Sequence, residues 1–395
     1  MKLVFLTFAP LTSNAGHLFR LSKELSYLSK LSKVTIICLN KYPDDQQTKK
    51  KYKNVSFYHI PIQFNGWEIV NLSEKIKIIV HLIERINPDL VILQMEAWDF
   101  AREISKLFYK RIPFAVVLHA MPFLGTPVNP SGDFNRDVLG YIMTGIEEYR
   151  YEYIIKHYKE IKDVLRRLNV IASNKTVAYY LRLYFKNLEF YQFGSMISIK
   201  RKIIPKYKEK PYYDFAYMAR MEKGKGIEYL DEILKMVSLL LSRHVRLAIM
   251  GRPDDVFSKK YLDQLLNNCE RDKYFKVDYH GWADEKTKIS ILSNSGVFLY
   301  PSYYDTFSIS LYEALSFGLP AIVWDVPFTK FNYSSTKAVI RVPFLNFEEF
   351  TKSAIEVFQN RDFLINEALN FINSFKFPDK IAKLDLEIYK KMIKK

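Results

Sequence analysis

Short apolar runs alternate along the chain with longer segments in which apolar residues recur at helical spacing. Segments 2–9 and 33–39 are apolar runs of strand length, and segment 16–31 between them repeats leucine at spacings of three and four. The first half also carries strand candidates at 54–61, 89–94, 114–119, 169–173 and 188–193, and a long helical segment at 147–168. Strands that alternate with helices are typical of β–α–β units, so we predict a parallel sheet.

The alternation begins a second time after residue 211. Predicted strands occupy 213–219, 245–250, 275–279, 296–300, 320–324 and 338–342, and predicted helices 225–241, 256–269, 284–293, 308–317, 347–359, 361–373 and 377–394. Segment 198–211 carries charge, two prolines and little periodicity, which is typical of a linker. We therefore predict domains at 1–197 and 212–374 and a closing segment at 375–395. Two doubly wound domains are expected to face each other across a cleft, with ligands at the carboxyl ends of the strands.

The composition excludes several classes of protein. Hydrophobic residues make up 49% of the 395 residues, enough for packed cores, so a disordered chain is excluded. The two cysteines, Cys38 and Cys269, lie in no motif, which excludes a disulfide framework and a cysteine-based zinc site. The apolar runs stay below the roughly 18–20 residues that span a bilayer. We interpret 2–9 as a buried first strand rather than a signal peptide, and we expect the protein in the cytoplasm.

The net charge favours anionic partners. Lys and Arg number 59 against 43 Asp and Glu, which gives +16. This charge is compatible with phosphates, nucleic acid or acidic lipid headgroups and does not choose between them. Segment 147–159 mixes tyrosines with basic residues, as segments at a membrane interface do, or as an amphipathic helix with partly buried tyrosines does. A lipid-linked acceptor on the anionic face of the cytoplasmic membrane is therefore one hypothesis.

Two segments of the second half carry candidate chemistry. The first, 219–226, follows a predicted strand; its glycines allow close backbone approach, Arg220 offers a bidentate grip on phosphate and Lys225 a point charge. Alone, it is equally a solvated basic loop. The second, 300–320, is a strand end, a polar loop and a helix whose first N–H groups suit an anion. Asp305 and Glu313 lie there eight residues apart, either at the edge of one cleft or as a helix cap and a solvated helix residue.

Together these segments resemble the C-terminal half of family 4 glycosyltransferases of the GT-B fold. The family pattern G-R-L-x-x-x-K-G is matched by ARMEKGKG at 219–226, and E-G-F-G-L-x-x-x-E-A-L-A-x-G-x-P by DTFSISLYEALSFGLP at 305–320. Segments 249–253, 280–282 and 295–302 match strand ends of the family. The resemblance covers the second half well and the first half loosely. It implies two Rossmann-like domains and a nucleotide-diphosphate-sugar donor, with UDP or GDP as the nucleotide.

The resemblance also implies roles for particular residues. Arg220 and Lys225 match the pair that grips the donor diphosphate, and Glu313 matches the carboxylate that binds the ribose hydroxyls. Asp305 occupies the position of the catalytic Glu that contacts the transferred sugar, although Asp is one methylene shorter. Backbone N–H groups expected to face the sugar or phosphate belong to Phe307, Ser308 and Ile309. Ser308 replaces a glycine of the family.

The first half matches the family in fewer places. His119 follows a predicted strand, where the family has a histidine that contacts the donor sugar and supports the reaction, and we expect it to be catalytic. Gly16 stands for a glycine pair that approaches the donor phosphate, with the second glycine missing. The closing segment resembles the family helix that packs back on the first domain. The resemblance implies retention of the anomeric configuration. We expect no cofactor and no metal, because no D-x-D motif occurs and Arg, Lys and a helix end suit a leaving diphosphate.

Other functions stay open at the level of the sequence. A sugar-nucleotide epimerase or a phosphorylase shares this fold. A catalytically weakened relative is a further alternative, because Asp305 and Ser308 depart from the family pattern. Nucleic-acid binding is compatible with the charge, but no segment resembles a nucleic-acid module, so we do not expect that partner. The nucleotide base, the sugar, the glycan or lipid-linked acceptor, the linkage and the oligomeric state are not determined by the sequence.

Overall fold

A computed structural model describes residues 1–11, 18–65, 68–94, 98–108, 111–119, 128–134, 136–137, 161–194, 211–271 and 274–394. These residues divide into two compact units. The first takes the described residues of Met1–Leu124, Ser131–Ser198 and Lys376–Lys395, and the second those of Gly125–Pro130 and Ile199–Phe375. Each unit is built on a parallel sheet flanked by helices, which confirms the predicted α/β class with two Rossmann-like sheets.

The sheet of the first unit has seven parallel strands. They are β1 (Lys2–Thr7), β2 (Lys33–Leu39), β3 (Val55–Ile60), β6 (Leu90–Leu93), β7 (Phe114–Leu118), β8 (Asn169–Ala172) and β9 (Tyr191–Gln192), and a small antiparallel pair is formed by β4 (Phe64–Asn65) and β5 (Glu68–Ile69). Their order is β3-β2-β1-β6-β7-β8-β9. The central strands are apolar throughout because helices cover both faces of the sheet.

Helices cover both faces of this first sheet. They are α1 (Phe19–Leu31), α2 (Gln46–Lys51), α3 (Leu72–Ile86), α4 (Trp98–Phe108) and α5 (Lys175–Tyr184), and residues 161–167 are also helical. On β1, Leu3 and Phe5 belong to one core and Val4 and Leu6 to the other, as alternation along a strand requires. Leucines of α1 fill the first core, and isoleucines of α3 fill the second.

The sheet of the second unit has six parallel strands. They are β10 (Tyr213–Met218), β11 (Val245–Met250), β12 (Phe275–Tyr279), β13 (Ser295–Tyr300), β14 (Ala321–Trp324) and β15 (Val339–Val342), in the order β12-β11-β10-β13-β14-β15. The helices are α6 (Leu230–Leu241), α7 (Val256–Arg271), α8 (Glu285–Leu292), α9 (Ile309–Ser316), α10 (Pro327–Tyr333), α11 (Phe347–Gln359) and α12 (Arg361–Asn373). The strand order reverses between β10 and β13, which is where doubly wound sheets bind ligands.

Some element boundaries differ from the prediction. The helix expected from 225 begins at Leu230 after a 3-10 turn, because Gly224 and Gly226 adopt left-handed backbone at φ +94° and +82°. The strand expected at 188–193 pairs only at Tyr191–Gln192. Of the predicted helix 147–168, the part before residue 161 lies outside the described residues.

The last helix, α13 (Pro378–Ile393), belongs to the first unit. It packs against α1 and contributes Ala382, Leu386 and Tyr389 to the core that α1 also fills. A bidentate ion pair joins the two helices: Arg20 donates to both carboxylate oxygens of Asp385, at 2.7 and 2.6 Å. Within the described ranges, no helix has both the length and the apolar composition needed to cross a bilayer.

Candidate active site at the carboxyl edge of the second sheet

Two loops meet at the carboxyl ends of the central strands β10 and β13. One, the glycine loop, is 219–226; the other, the β13–α9 loop, is 301–308. The carbonyl oxygen of Gly224 accepts hydrogen bonds from the backbone N–H groups of Tyr303 and Tyr304, at 2.9 and 3.1 Å. Because β10 and β13 are neighbours at the point where the strand order reverses, these bonds fasten the two candidate segments to each other.

Glycine is required where these loops approach other backbone. A Cβ on Gly226 would lie 2.2 Å from the carbonyl oxygen of Pro301, in the β13–α9 loop. A Cβ on Gly251, which follows β11 at φ +123°, would lie 1.7 Å from the carbonyl oxygen of Ala219. The glycines thus allow the loops after β10, β11 and β13 to pack closely at one edge.

Lys225 lies at the centre of this arrangement. Its Nζ donates to the carbonyl oxygen of Tyr304 at 2.6 Å and lies 3.1 Å from Oδ1 of Asp305. Glu222 Oε1 is farther away, at 3.7 Å. The side chain is 11% exposed. An ammonium has three N–H donors, and these contacts use two of them at hydrogen-bond distance, which leaves one for an anionic ligand.

Asp305 is held on both carboxylate oxygens. Tyr300, the last residue of β13, donates its hydroxyl to Oδ2 at 2.6 Å, and the Ser302 hydroxyl lies 3.4 Å from the same atom. Burial, and next the negative charge of Asp305, raise the pKa of Tyr300 well above its ordinary value, so the phenol stays protonated and donates. The role of helix cap falls instead to Ser308, whose Oγ accepts from Leu311 N at 3.2 Å.

Arg220 is the accessible cation of the site. Its guanidinium contacts both oxygens of Glu222 at 2.9 and 3.1 Å and Asp254 at 3.3 Å, while 59% of the side chain is exposed. Burial alone would lower the pKa of Arg220, but the charge of Glu222, its hydrogen bond and the charge of Asp254 together outweigh burial and raise the pKa. Arg220 therefore stays charged and can exchange a carboxylate for a phosphate, since two oxygens of either group can accept the paired N–H donors of the guanidinium.

The start of α9 presents backbone donors. The N–H groups of Phe307 and Ile309 donate no hydrogen bond within the part of the chain that the structure describes. The Phe307 ring is buried against Tyr312 and Tyr333, which fixes the backbone beside it. Unpaired N–H groups at a helix start carry partial positive charge and suit an anion.

Glu313, in the second turn of α9, forms an ion pair that the sequence did not indicate. Its Oε1 lies 2.8 Å from Nζ of Lys288 on α8, and Lys288 also pairs with Glu285 at 2.7 Å. Burial would lower the pKa of Lys288, but the charges of Glu313 and Glu285 outweigh it and raise the pKa. The ion pair fixes Glu313 through Oε1 and leaves its second oxygen able to accept from a ligand hydroxyl.

Ser308 has a strained backbone, with φ +64° and ψ +95°. A residue with a Cβ pays about 1–3 kcal/mol for such a conformation. We expect Ser308→Gly to match or exceed the wild-type stability, because relief of strain offsets the lost cap and the added chain entropy. Ser308→Ala keeps the strain, loses the cap and should be less stable by about 1 kcal/mol. Urea denaturation of both variants measures this; an alanine variant as stable as the glycine variant contradicts the strain.

The remaining predicted residues lie in the first unit. His119 directly follows β7 and is half-buried. Gly16 lies outside the described residues, as do segments 147–159 and 198–210. Within the described ranges, no group of three or more His, Cys, Asp or Glu side chains is placed to hold a metal ion.

The sequence analysis did not identify the residues that hold Asp305, Lys225 and Glu313 in position. Tyr300 holds Asp305, Tyr304 contributes the carbonyl to Lys225, and Lys288 pairs with Glu313. A signal existed for Tyr300, a hydroxyl at the end of a buried strand five residues before Asp305. None existed for Lys288, which lies 25 positions before Glu313 on another helix.

A model of a known protein family matches the part of the chain that carries this site. The family model described as Glycosyl transferases group 1 matches residues 198–372, which include the glycine loop and the β13–α9 loop. An uncharacterised 41.2 kDa protein of the cps region of Klebsiella pneumoniae is 27% identical over 118 residues. That match spans 30% of this chain and 29% of the relative.

Solved structures resemble the whole chain in fold. Sucrose-phosphate synthase from Thermosynechococcus elongatus is 13% identical, with a TM-score of 0.71 and 99% of each chain covered. The Anabaena protein Alr3699/HepE, in complex with UDP and glucose, is 12% identical, with a TM-score of 0.64 and 99% of each chain covered. WaaG, a glycosyltransferase involved in lipopolysaccharide biosynthesis, is 13% identical, with a TM-score of 0.66 over 97% of this chain and 99% of that one. These likenesses agree with the GT-B fold.

Proposed function

We propose that this protein is a glycosyltransferase of the hexosyltransferase type. It transfers a sugar from a nucleotide-diphosphate sugar to a glycan or lipid-linked acceptor. The starting point is the match of residues 198–372 to the Glycosyl transferases group 1 family. We further propose that transfer retains the anomeric configuration and needs no metal. The observation that carries the proposal is the pairing of Lys225 with Asp305, 3.1 Å apart, where the strand order of the second sheet reverses.

The diphosphate is proposed to bind between the glycine loop and the start of α9. Lys225 has one N–H donor left, Arg220 is exposed, and the N–H groups of Phe307 and Ile309 have no acceptor among the described residues. Ser308 adds its own N–H at the same turn. Negative charge grows on the diphosphate as the bond to the sugar lengthens, so fixed donors here stabilise the transition state more than the ground state. This set supplies the positive charge that a divalent ion would otherwise supply.

The ribose and the sugar are assigned to the two carboxylates. Glu313, fixed by Lys288, accepts hydrogen bonds from the ribose hydroxyls through its second oxygen. Asp305, which Tyr300 and Lys225 hold in place, contacts the transferred sugar. Because both oxygens are already engaged, we propose that Asp305 also orients Lys225. The roles of His119 with the donor sugar and of Gly16 with the donor phosphate rest on the family resemblance.

The proposed reaction breaks one bond and forms one. The bond between the anomeric carbon and the diphosphate oxygen breaks, and the electron pair leaves with the diphosphate. The acceptor hydroxyl forms the new bond from the same face, and its proton passes to the departing phosphate oxygen. Configuration at the anomeric carbon is therefore retained, and no described side chain is assigned as a covalent nucleophile.

What the structural neighbours bind supports the choice of donor and acceptor classes. Alr3699/HepE is described in complex with UDP-glucose, and TarM of S. aureus with UDP and α-GlcNAc-glycerol. WaaG acts in lipopolysaccharide biosynthesis. UDP is therefore the first nucleotide to test, with GDP as the alternative.

The deciding experiment is calorimetric titration of the purified protein with UDP, GDP and ADP, with and without EDTA. We expect one of the three to bind with micromolar affinity and EDTA to leave that affinity unchanged. Glu313→Gln should weaken binding about tenfold, since the ribose loses a charged acceptor. Glu285→Gln changes the other, exposed partner of Lys288 and serves as the matched control. Absence of binding by a folded protein would contradict the transferase and favour a catalytically weakened relative.

Product stereochemistry and the effect of EDTA on transfer test the proposed retention and metal independence. With the donor so identified and an acceptor found by screening, NMR of the first product formed should show the anomeric configuration of the donor. An inverted product would contradict retention and leave the donor site standing. Loss of transfer on addition of EDTA, with nucleotide binding intact, would contradict metal independence.

A further inference from the structure

Three helices, α1, α2 and α13, cover one face of the first sheet. Their inward side chains share one core, in which Leu25 of α1 lies with Tyr52 at the end of α2 and Tyr389 of α13. The Tyr52 hydroxyl donates to the carbonyl oxygen of Ser22 on α1 at 2.8 Å, which joins the end of α2 to α1. The outward side chains of the three helices therefore lie on the same side of the first sheet.

Lysine dominates the outward side of α1, α2 and the residues that adjoin them. We define the basic face as the exposed lysines Lys23, Lys30, Lys33, Lys49, Lys50, Lys51 and Lys53. Among the described residues, none of these forms an ion pair with a carboxylate. Helix α13 adds the exposed lysines Lys383 and Lys391 beside α1, and Lys394 follows its end; the exposed Glu387 of α13 pairs with Lys390 at 2.7 Å.

Few acidic side chains accompany the lysines of the basic face. Between residues 19 and 54 there are three carboxylates, and Glu24 and Asp44 are buried. The third, Asp45, is exposed, but its carboxylate caps α2 by accepting from Thr48 N at 2.6 Å. The basic face thus carries an almost unopposed positive charge. Repulsion between neighbouring lysines costs stability, and an anionic partner relieves that cost.

Apolar groups lie within the same surface. On α1, Tyr27 and Leu31 are 37% and 44% exposed, and they share a stripe with Lys23 and Lys30 at spacings of three and four. Lys30 Nζ lies 5.5 Å from the centre of the Tyr27 ring. Aromatic and aliphatic side chains among lysines match the boundary between headgroups and acyl chains, where rings and stems are apolar and ammonium groups stay in water.

We propose that the basic face docks the protein on an anionic lipid surface. The lysines bind the acidic headgroups, and Tyr27 and Leu31 enter the headgroup boundary. A nucleic-acid backbone would satisfy the lysines but would leave Leu31 exposed, so the lipid surface is the better match. The proposal rests on the proposed function and extends it, because a lipid-linked acceptor would be met at such a surface. The proposal assigns membrane contact to α1 and α2. The sequence analysis instead predicts such contact for segment 147–159, which lies outside the described residues.

Co-sedimentation with lipid vesicles tests the proposal. Wild-type protein is mixed with vesicles of phosphatidylcholine containing phosphatidylglycerol, and with vesicles of phosphatidylcholine alone. We expect binding to the first, little binding to the second, and weaker binding as salt is raised. Four lysines of the basic face are then changed to glutamine together, at Lys23, Lys30, Lys49 and Lys50. This variant should bind on the order of 1000-fold more weakly, since each of the four lysines near the surface contributes independently.

The matched control changes four exposed lysines of the second unit to glutamine, at Lys259, Lys276, Lys330 and Lys337. It removes the same charge from elsewhere and should keep most of the binding. A second variant, Tyr27→Ser with Leu31→Ser, keeps every lysine and should bind several-fold more weakly at high salt, where the apolar contribution dominates. Circular dichroism checks that each variant is folded.

Three results would overturn the proposal. One is absence of sedimentation with anionic vesicles at low salt. The second is an equal loss of binding in the control variant, which would assign the effect to net charge. The third is binding to single-stranded RNA with no binding to vesicles, which would replace the lipid by a nucleic acid. No donor or acceptor is present, so failure here leaves the nucleotide titration, and with it the transferase, unaffected.

Discussion

Replacing Asp385 by leucine is expected to lower the free energy of unfolding of the first unit by about 3–5 kcal/mol. Arg20 contacts both oxygens of Asp385, with the Arg20 side chain 7% exposed and the Asp385 side chain fully buried. The leucine variant leaves a buried guanidinium without its hydrogen-bonded carboxylate, and the nearby Glu24 compensates only part of the cost of removing that charge from water. Urea denaturation of wild type and variant measures the difference.

The control for this prediction changes both partners. Arg20→Met with Asp385→Leu removes the charges but keeps apolar volume, and methionine can still pack on Phe193, whose ring centre lies 4.1 Å from the guanidinium carbon. We expect this double variant to recover most of the lost stability, because apolar groups of similar size often replace a buried ion pair without loss. A double variant as unstable as Asp385→Leu would assign the effect to packing of α13 on α1.

Glu24 makes the stability of the same cluster depend on pH. Burial, and next the charge of Asp385, raise the pKa of Glu24 well above its ordinary value against the opposing effect of Arg20. A carboxyl whose pKa is raised in the folded state contributes stability that is present below the unfolded pKa and is lost as pH rises through the folded pKa. The wild type should therefore lose stability toward alkaline pH relative to Glu24→Gln, which cannot ionise. Parallel curves for the two proteins would contradict this.

The fold could be predicted wherever the apolar pattern is strong. Strand β2 is an apolar run whose residues after Lys33 are all buried, and the sequence predicts its bounds correctly. Helix α2, with the sequence QQTKKK, has no apolar periodicity and was missed, because its Asp45 cap and Tyr52 anchor lie outside the helix itself. Helix α10 was missed because it is one short segment of seven residues beginning with proline.

The candidate site could be predicted as two segments but not as a set of contacts. The pattern at 219–226 and 305–320 predicts which residues form the candidate site. The structure brings Lys225 and Asp305 of these segments together. The contacts of Asp305 with Tyr300 and of Glu313 with Lys288 depend on how β13 and α8 pack, which local periodicity does not encode. The same holds for Gly226, whose close approach to Pro301 is set by the neighbouring strand.

Replacing Lys225 by methionine is expected to weaken binding of the nucleoside diphosphate and to slow transfer, about 10²–10³-fold in kcat/KM. Methionine keeps most of the buried stem, so the loss measures the ammonium. Without that charge the diphosphate loses a donor, and Asp305, which Lys225 contacts at 3.1 Å, loses the neighbouring positive charge and repels the diphosphate. Calorimetric titration with the nucleotide, followed by the initial rate of nucleotide release from the donor sugar, measures the two effects separately.

Two further variants decide whether the ammonium acts directly or through Asp305. Lys223→Met removes a lysine from the same glycine loop, one that lies over the Phe257 ring, and should change affinity by no more than about threefold. Asp305→Asn in the Lys225→Met background removes the repulsion and should recover part of the affinity, but not the rate, because the donor to the leaving group is still missing. Full recovery of both would mean that Lys225 serves to neutralise Asp305 rather than to bind the diphosphate. An equal loss in Lys223→Met would mean that the charge of the whole loop, not the placement of one ammonium, attracts the nucleotide.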